Sequence, residues 1–282
     1  MPGLDDLIGT TFGSFPVPVT GERVAEFVSA TGDDPDQWSG IAPPMFANAA
    51  LFGAAPAFLE AGDVVPFTRS LIHSEQTFVW KRPLAVGETL SVSGTVEAVR
   101  GRGTLNLVTF SLEAGSDAGP WLEGSSIFLM SESAAATAAE ATEPAAKERP
   151  PVDPSGGRLT LPGSGEAIVE VRCGASRADL VRYAAASGDW NPIHWDHDSA
   201  RDAGLDGVIV HGLLMAAWLG RVAGRYGSPK SMRTRFRSPL RPAVPALITG
   251  SVRDADGGAA ELDLVLTAGE QRLVTARASV TR

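Results

Sequence analysis

The chain has 282 residues, 44% of them hydrophobic and 20% charged, with a formal net charge of −9. That balance excludes disorder of the whole chain, and the acidic excess excludes general binding to nucleic-acid backbones. The single cysteine, Cys173, excludes an internal disulfide or a cysteine-rich zinc site and makes a reducing cytoplasm the default setting.

No run approaches the ~18–20 consecutive apolar residues of a transmembrane helix. Met1-Pro2-Gly3-Leu4-Asp5-Asp6 lacks the basic and apolar regions of a signal peptide. The first helix is predicted at residues 46–62, Ala-rich and closing on a glycine. Strands are predicted at 89–99, where Leu90, Val92, Gly94, Val96 and Ala98 alternate, at 105–112 and at 121–130. Residues 133–166 read as a linker: an Ala/Thr/Glu run, then a segment rich in Pro and Gly. It separates an N-terminal half, 1–132, from a C-terminal half, 167–282. The second half predicts a helix at 211–227 and strands at 232–236, 247–252, 260–267 and 272–281. Asp256-Gly257-Gly258 marks a hairpin turn. A long helix with a mostly antiparallel sheet, twice over, is an α+β pattern.

The halves are related. Phe27-Val-Ser-Ala-Thr-Gly-Asp33 reads like Tyr183-Ala-Ala-Ala-Ser-Gly-Asp189, at an offset of 156. Lys81-Arg82-Pro83-Leu84 matches Arg237-Ser238-Pro239-Leu240, and Ser93-Gly94-Thr95-Val96 matches Thr249-Gly250-Ser251-Val252, at the same offset. Three matches at one offset indicate an internal duplication, and two copies make a pseudo-symmetric pair rather than a solenoid.

The segment Ser187-Gly188-Asp189-x-Asn191-Pro192-x-His194, followed by Val210-His211-Gly212 and by Phe236-Arg237-Ser238-Pro239, resembles the signature of the MaoC-like, or hydratase 2, family. These are (R)-specific enoyl-CoA hydratases and 3-hydroxyacyl-thioester dehydratases. The likeness covers the second half well, and the first half resembles the non-catalytic copy of two-repeat members. The resemblance implies a double hotdog: in each repeat a curved antiparallel sheet wrapped around one long helix. It implies no cofactor beyond a thioester carrier, coenzyme A or acyl carrier protein, and a place in fatty-acid metabolism.

The residue chemistry agrees. Water addition to an α,β-unsaturated thioester needs proton transfer at two adjacent carbons and a donor for an enolate-like oxygen. Asp189 and His194 supply a carboxylate and an imidazole, and Asn191 before Pro192 disfavours a continued helix between them. An irregular loop can then aim both at one water, to deprotonate and reprotonate it. His211 and Gly212 sit where a helix should start, and a free backbone N–H there suits an oxyanion. Asp-Asn strings are also ordinary turns; it is the whole constellation that points to catalysis.

In the first half Asp33 is retained, but Trp38 stands in the place of His194, and Pro43-Pro44-Met45-Phe46 lies near where Val210-His211-Gly212 would be. One active site per chain is expected, with Asp33 a turn residue. His73 is expected at the surface or lining a pocket, and His197 at a helix start. No histidine pair has supported metal-ligand spacing, so no metal is expected.

Lys230, Arg233, Arg235, Arg237 and Arg241 form a basic cluster. It can meet coenzyme A phosphates or an acidic carrier protein, or be a solvated strand face. The small residues around Ala50 and Ala54, with Pro56 to kink the helix, can leave room for an acyl tail or merely allow close packing. The leading expectation is a hydro-lyase; a hotdog thioesterase and a non-catalytic partner subunit are the alternatives. A homodimer is compatible with this arrangement, and a membrane or nucleic-acid partner is not expected.

Overall fold

The computed structural model describes residues 3–132 and 148–281. The Ala/Thr/Glu part of the predicted linker lies outside the described residues. In chain order the main elements of the first repeat are β1 (Thr11–Pro18), α1 (Gly21–Thr31), α2 (Ala47–Leu59), β2 (Ser70–Trp80), β3 (Thr89–Arg102), β4 (Leu105–Ser116) and β5 (Gly119–Ser131). Those of the second are β6 (Val171–Cys173), α3 (Arg177–Ser187), α4 (His197–Asp202), α5 (Gly212–Gly224), β7 (Ser228–Phe236), β8 (Ala246–Asp256), β9 (Ala259–Ala268) and β10 (Gln271–Thr281).

The ten strands form one sheet in the order β1-β3-β4-β5-β2-β7-β10-β9-β8-β6. Neighbours run antiparallel throughout. The order is a palindrome of two equivalent halves that meet where β2 pairs with β7, through Glu75↔Arg235, Thr77↔Arg233 and Val79↔Ser231. The duplication read from the sequence is therefore a pseudo-two-fold pair sharing a continuous sheet. This is the α+β double hotdog.

Each repeat lays one long helix on its sheet. In α5 every residue from Leu213 to Ala223 is buried, the mark of a helix covered on all sides. In α2 the small residues bring helix and sheet close: a Cβ on Gly53 would lie 2.6 Å from Val17 Cγ2. Phe58 stacks on Phe110, with ring centroids 5.1 Å apart, and packs beside Phe128. Ala50 and Ala54 are both fully buried.

The sequence reading found both central helices, each four residues too long, and the seven strands β3, β4, β5, β7, β8, β9 and β10, each short by one to five residues. It missed β1, β2, β6, α1 and α3. β1 carries Pro16 and Pro18, which argue against a strand except at an edge, where β1 lies. The alternation of β2 is broken by a bulge between His73 and Glu75, so period-2 counting fails across it. The hairpin at Asp256-Gly257-Gly258 forms as expected, with φ of 52° and 126° at the glycines. The described part of the linker is tied to both repeats: Gln37 Nε2 donates to Gly156 O at 3.2 Å, and Leu159 N to Arg225 O at 2.7 Å.

Candidate active site

The repeated Ser/Thr-Gly-Asp string is a helix C-terminus. α1 ends at Gly32 and α3 at Gly188, both left-handed, with φ of 66° and 84°, a conformation glycine takes at little cost. The turn at Gly188 sends the next residue, Asp189, inward, where it is buried. Asn191 is held extended by Pro192, with ψ of 121°, and caps a short 3-10 helix, Pro192–His194, by accepting from Ile193 N at 3.3 Å. Asn191 N also approaches Asp189 Oδ1 at 3.4 Å. Asn191 therefore shapes the loop and contributes to the site through its backbone. The 3-10 turn returns His194 to a buried position.

The ring orientations are set by carbonyls. His194 Nδ1 lies 2.9 Å from Ile209 O and His211 Nε2 lies 3.2 Å from Asp189 O. A carbonyl only accepts, so each of these nitrogens carries the proton and the other nitrogen of each ring presents a lone pair. The rings stack, with centroids 3.8 Å apart and planes 25° from parallel. One ligand-capable atom from each of Asp189, His194 and His211 lies within 4.8 Å of the others. The expectation that no histidine pair has supporting ligands is corrected here: the fold unites residues of two separate segments.

Burial governs the charges. It pushes the Asp189 carboxyl up to about 7, weakly opposed by the Asn191 backbone N–H. It pushes His194 down to about 4, opposed by the Ile209 carbonyl, and His211 well below the usual imidazole range, helped by His194. Both histidines are neutral acceptors at neutral pH, while the carboxyl sits at its midpoint, suited to moving a proton either way.

His211 caps α5, and Gly212 is its first residue, so the Gly212 N–H has no partner within the helix. A Cβ there would crowd the Phe236 ring at 3.2 Å. In the first repeat Asp33 makes a local turn, accepting from Asp34 N at 2.8 Å, as expected. Trp38 belongs to the 3-10 turn Pro35–Trp38, the counterpart of the one that carries His194. His197 begins α4. The bulge turns His73 inward, between Phe128 and Phe236, at ring distances of 4.9 and 5.1 Å.

Two members of the basic cluster are paired across the seam between the repeats. Arg233 and Arg235 project from the sheet face opposite Met232 and Thr234, and both bind Glu75, at 2.6 and 2.8 Å. For these two, the solvated-face reading describes what is observed. Arg237 is exposed just beyond β7.

Sequence reasoning missed Asn48 and gave Tyr183 no role. Both are buried, and Asn48 Nδ2 donates to Tyr183 Oη at 3.0 Å. The available signal was an Asn at the start of an otherwise apolar helix.

Residues 159–243 match the MaoC-like domain, and residues 6–119 match the FAS1-like dehydratase domain region. The chain's second half thus carries a MaoC-like dehydratase domain. The protein is accordingly a hydro-lyase, of the dehydratase and hydratase class. A 3-hydroxyacyl-thioester dehydratase X of Mycobacterium tuberculosis is 26% identical over 261 residues, 92% of this chain and 85% of that protein. A solved MaoC-like dehydratase superposes with a TM-score of 0.80 at 21% identity, covering 99% of each chain. A double-hotdog protein of Mycobacterium tuberculosis superposes at 0.67 with 16% identity, covering 99% of this chain and 98% of that one. Among the described residues no helix is long and apolar enough to cross a membrane.

Proposed function

We propose that the protein interconverts trans-2-enoyl and (R)-3-hydroxyacyl thioesters, with water held between Asp189 and His194. The carrying observation is a buried carboxyl and a buried imidazole brought together from one loop, with one ligand-capable atom of each within 4.8 Å of the other. A water there donates one O–H to Asp189 and the other to His194 Nε2. In hydration, Asp189 takes a proton as the water oxygen bonds to C3. The C2=C3 electron pair shifts toward the thioester, whose oxygen is held by the Gly212 N–H. The carboxyl then returns the proton to C2, so one water is added and Asp189 is regenerated. Dehydration is the same path reversed. His211 supports the loop through the Asp189 carbonyl. The (R) outcome rests on the family likeness.

The carrier is coenzyme A or an acyl carrier protein. Of the three arginines singled out, Arg237, exposed next to Phe236, is the one we assign to its phosphate. A cytoplasmic setting fits the single buried cysteine.

Crotonyl-CoA tests the reaction. Loss of enoyl absorbance without release of free thiol, and an (R)-3-hydroxy product on chiral analysis, supports it. Thiol release supports the thioesterase alternative, and an (S) product overturns the stereochemical assignment.

A further inference from the structure

The two central helices start in the same way relative to the two motif loops. Phe46 meets Phe27 edge-on, at 5.5 Å and 71°. His211 meets Tyr183 edge-on, at 4.9 Å and 63°. Phe46 therefore occupies in the first repeat the place of His211 in the second. Two residues further along each helix stand Asn48 and Leu213, both buried.

Asn48 crosses the pseudo-two-fold. Its Nδ2 donates to Tyr183 Oη and to Leu213 O, each at 3.0 Å. Those acceptors belong to the two segments that build the site. Tyr183 lies in the last turns of α3, where its carbonyl accepts from Ser187 Oγ at 2.7 Å, and Ser187 Oγ accepts from Asp189 N at 3.2 Å. Leu213 follows Gly212 in the first turn of α5. One amide thus ties the Asp189 loop to the helix start that presents His211 and Gly212.

The duplication supplies an internal control. On the silent side the counterpart of Tyr183 is Phe27, which has no hydroxyl, and the counterpart of Asn48 is Leu213. The fold accepts an apolar pair at these positions. On the working side the polar pair is kept although Asn48 Oδ1 is buried with no partner, a state that costs stability. The polar pair is therefore tied to the site rather than to the sheet–helix core.

We propose that Asn48, supplied by the repeat without the catalytic pair, is a positioning residue that holds Asp189 and the oxyanion helix in register. The inference rests on the dehydratase reading given above. The pair Asn48→Leu with Tyr183→Phe copies the silent side. Removing both polar partners together leaves no orphan, so the double variant should melt at or above the wild-type temperature. Its kcat for crotonyl-CoA hydration should fall about 10-fold or more, since misplacement by ~1 Å can cost ~100-fold. KM should stay within about 2-fold, because neither group is assigned to the substrate. Tyr183→Phe and Asn48→Leu alone complete a double-mutant cycle, and the double variant should lose no more than the worse single.

Full kcat in the double variant overturns the proposal. So do losses that multiply across the cycle, or losses that only follow the fraction of folded protein. Absence of wild-type turnover instead overturns the reaction on which it rests.

Discussion

Replacing Asp189 with Asn should make the protein more stable and nearly inactive, and the stability gain should depend on pH. Burial raises the carboxyl from its ordinary 3.8 to about 7. Between those values the unfolded chain ionises Asp189 while the folded chain keeps it protonated. Folding stability is thus fully present below pH ~4, falls as pH rises, and is at its lowest above pH ~7. A shift of about three units at ~1.36 kcal/mol each sets a ceiling of about 4 kcal/mol on this loss. A carboxamide cannot ionise, so Asp189→Asn removes the loss. At ~2–4 °C per kcal/mol for a chain of roughly this size, the ceiling on the gain in Tm is about 8–16 °C at pH 8. The two proteins should converge near pH 4. His194, pushed down to about 4, has the opposite pH dependence, but both proteins share it and it cancels in the difference. The assay is thermal unfolding of both proteins from pH 4 to pH 8, with turnover measured alongside. Turnover should drop by about two or more orders of magnitude. Equal melting temperatures at pH 8, or a difference constant across the range, would refute the reasoning.

Three further outcomes are expected. kcat/KM for hydration should rise through about pH 7 and level off above it, because Asp189 must be ionised to accept the proton while both histidines are already neutral. A profile that falls through pH 7 would make the protonated carboxyl the working form. Asp33→Asn should leave turnover near wild type, since Asp33 serves a turn beside Trp38; a large loss would show that the first repeat takes part in the chemistry. Ala54→Leu should destabilise by about 1–3 kcal/mol by overpacking and lower activity alike on short and long acyl substrates. Selective loss on long substrates would return the acyl tail to α2.

The motif string was legible because its glycine and proline each impose a local geometry that spacing reveals. Gly188 turns the chain, Pro192 holds Asn191 extended, and His194 follows within one 3-10 turn. The duplication was legible from a constant offset, and the sheet's palindromic order bears it out. What spacing did not reveal depends on contacts between distant segments. Glu75 fixes Arg233 and Arg235 across the seam between repeats, 158 and 160 residues away. Asn48 reaches Tyr183 across 135 residues. The pairing of His194 with His211 needs α5 to start beside the motif loop. The burial of Ala50 and Ala54 likewise depends on what the rest of the chain packs against α2, which spacing does not reveal.

The account rests most directly on His194 and Asp189 sharing one water. Hydration of crotonyl-CoA by His194→Ala, compared with wild type at pH 8, tests it. Turnover should fall by about two or more orders of magnitude, with the variant still folded at the assay temperature and no thiol released by either protein. Near-native hydration by a folded His194→Ala protein would contradict the account.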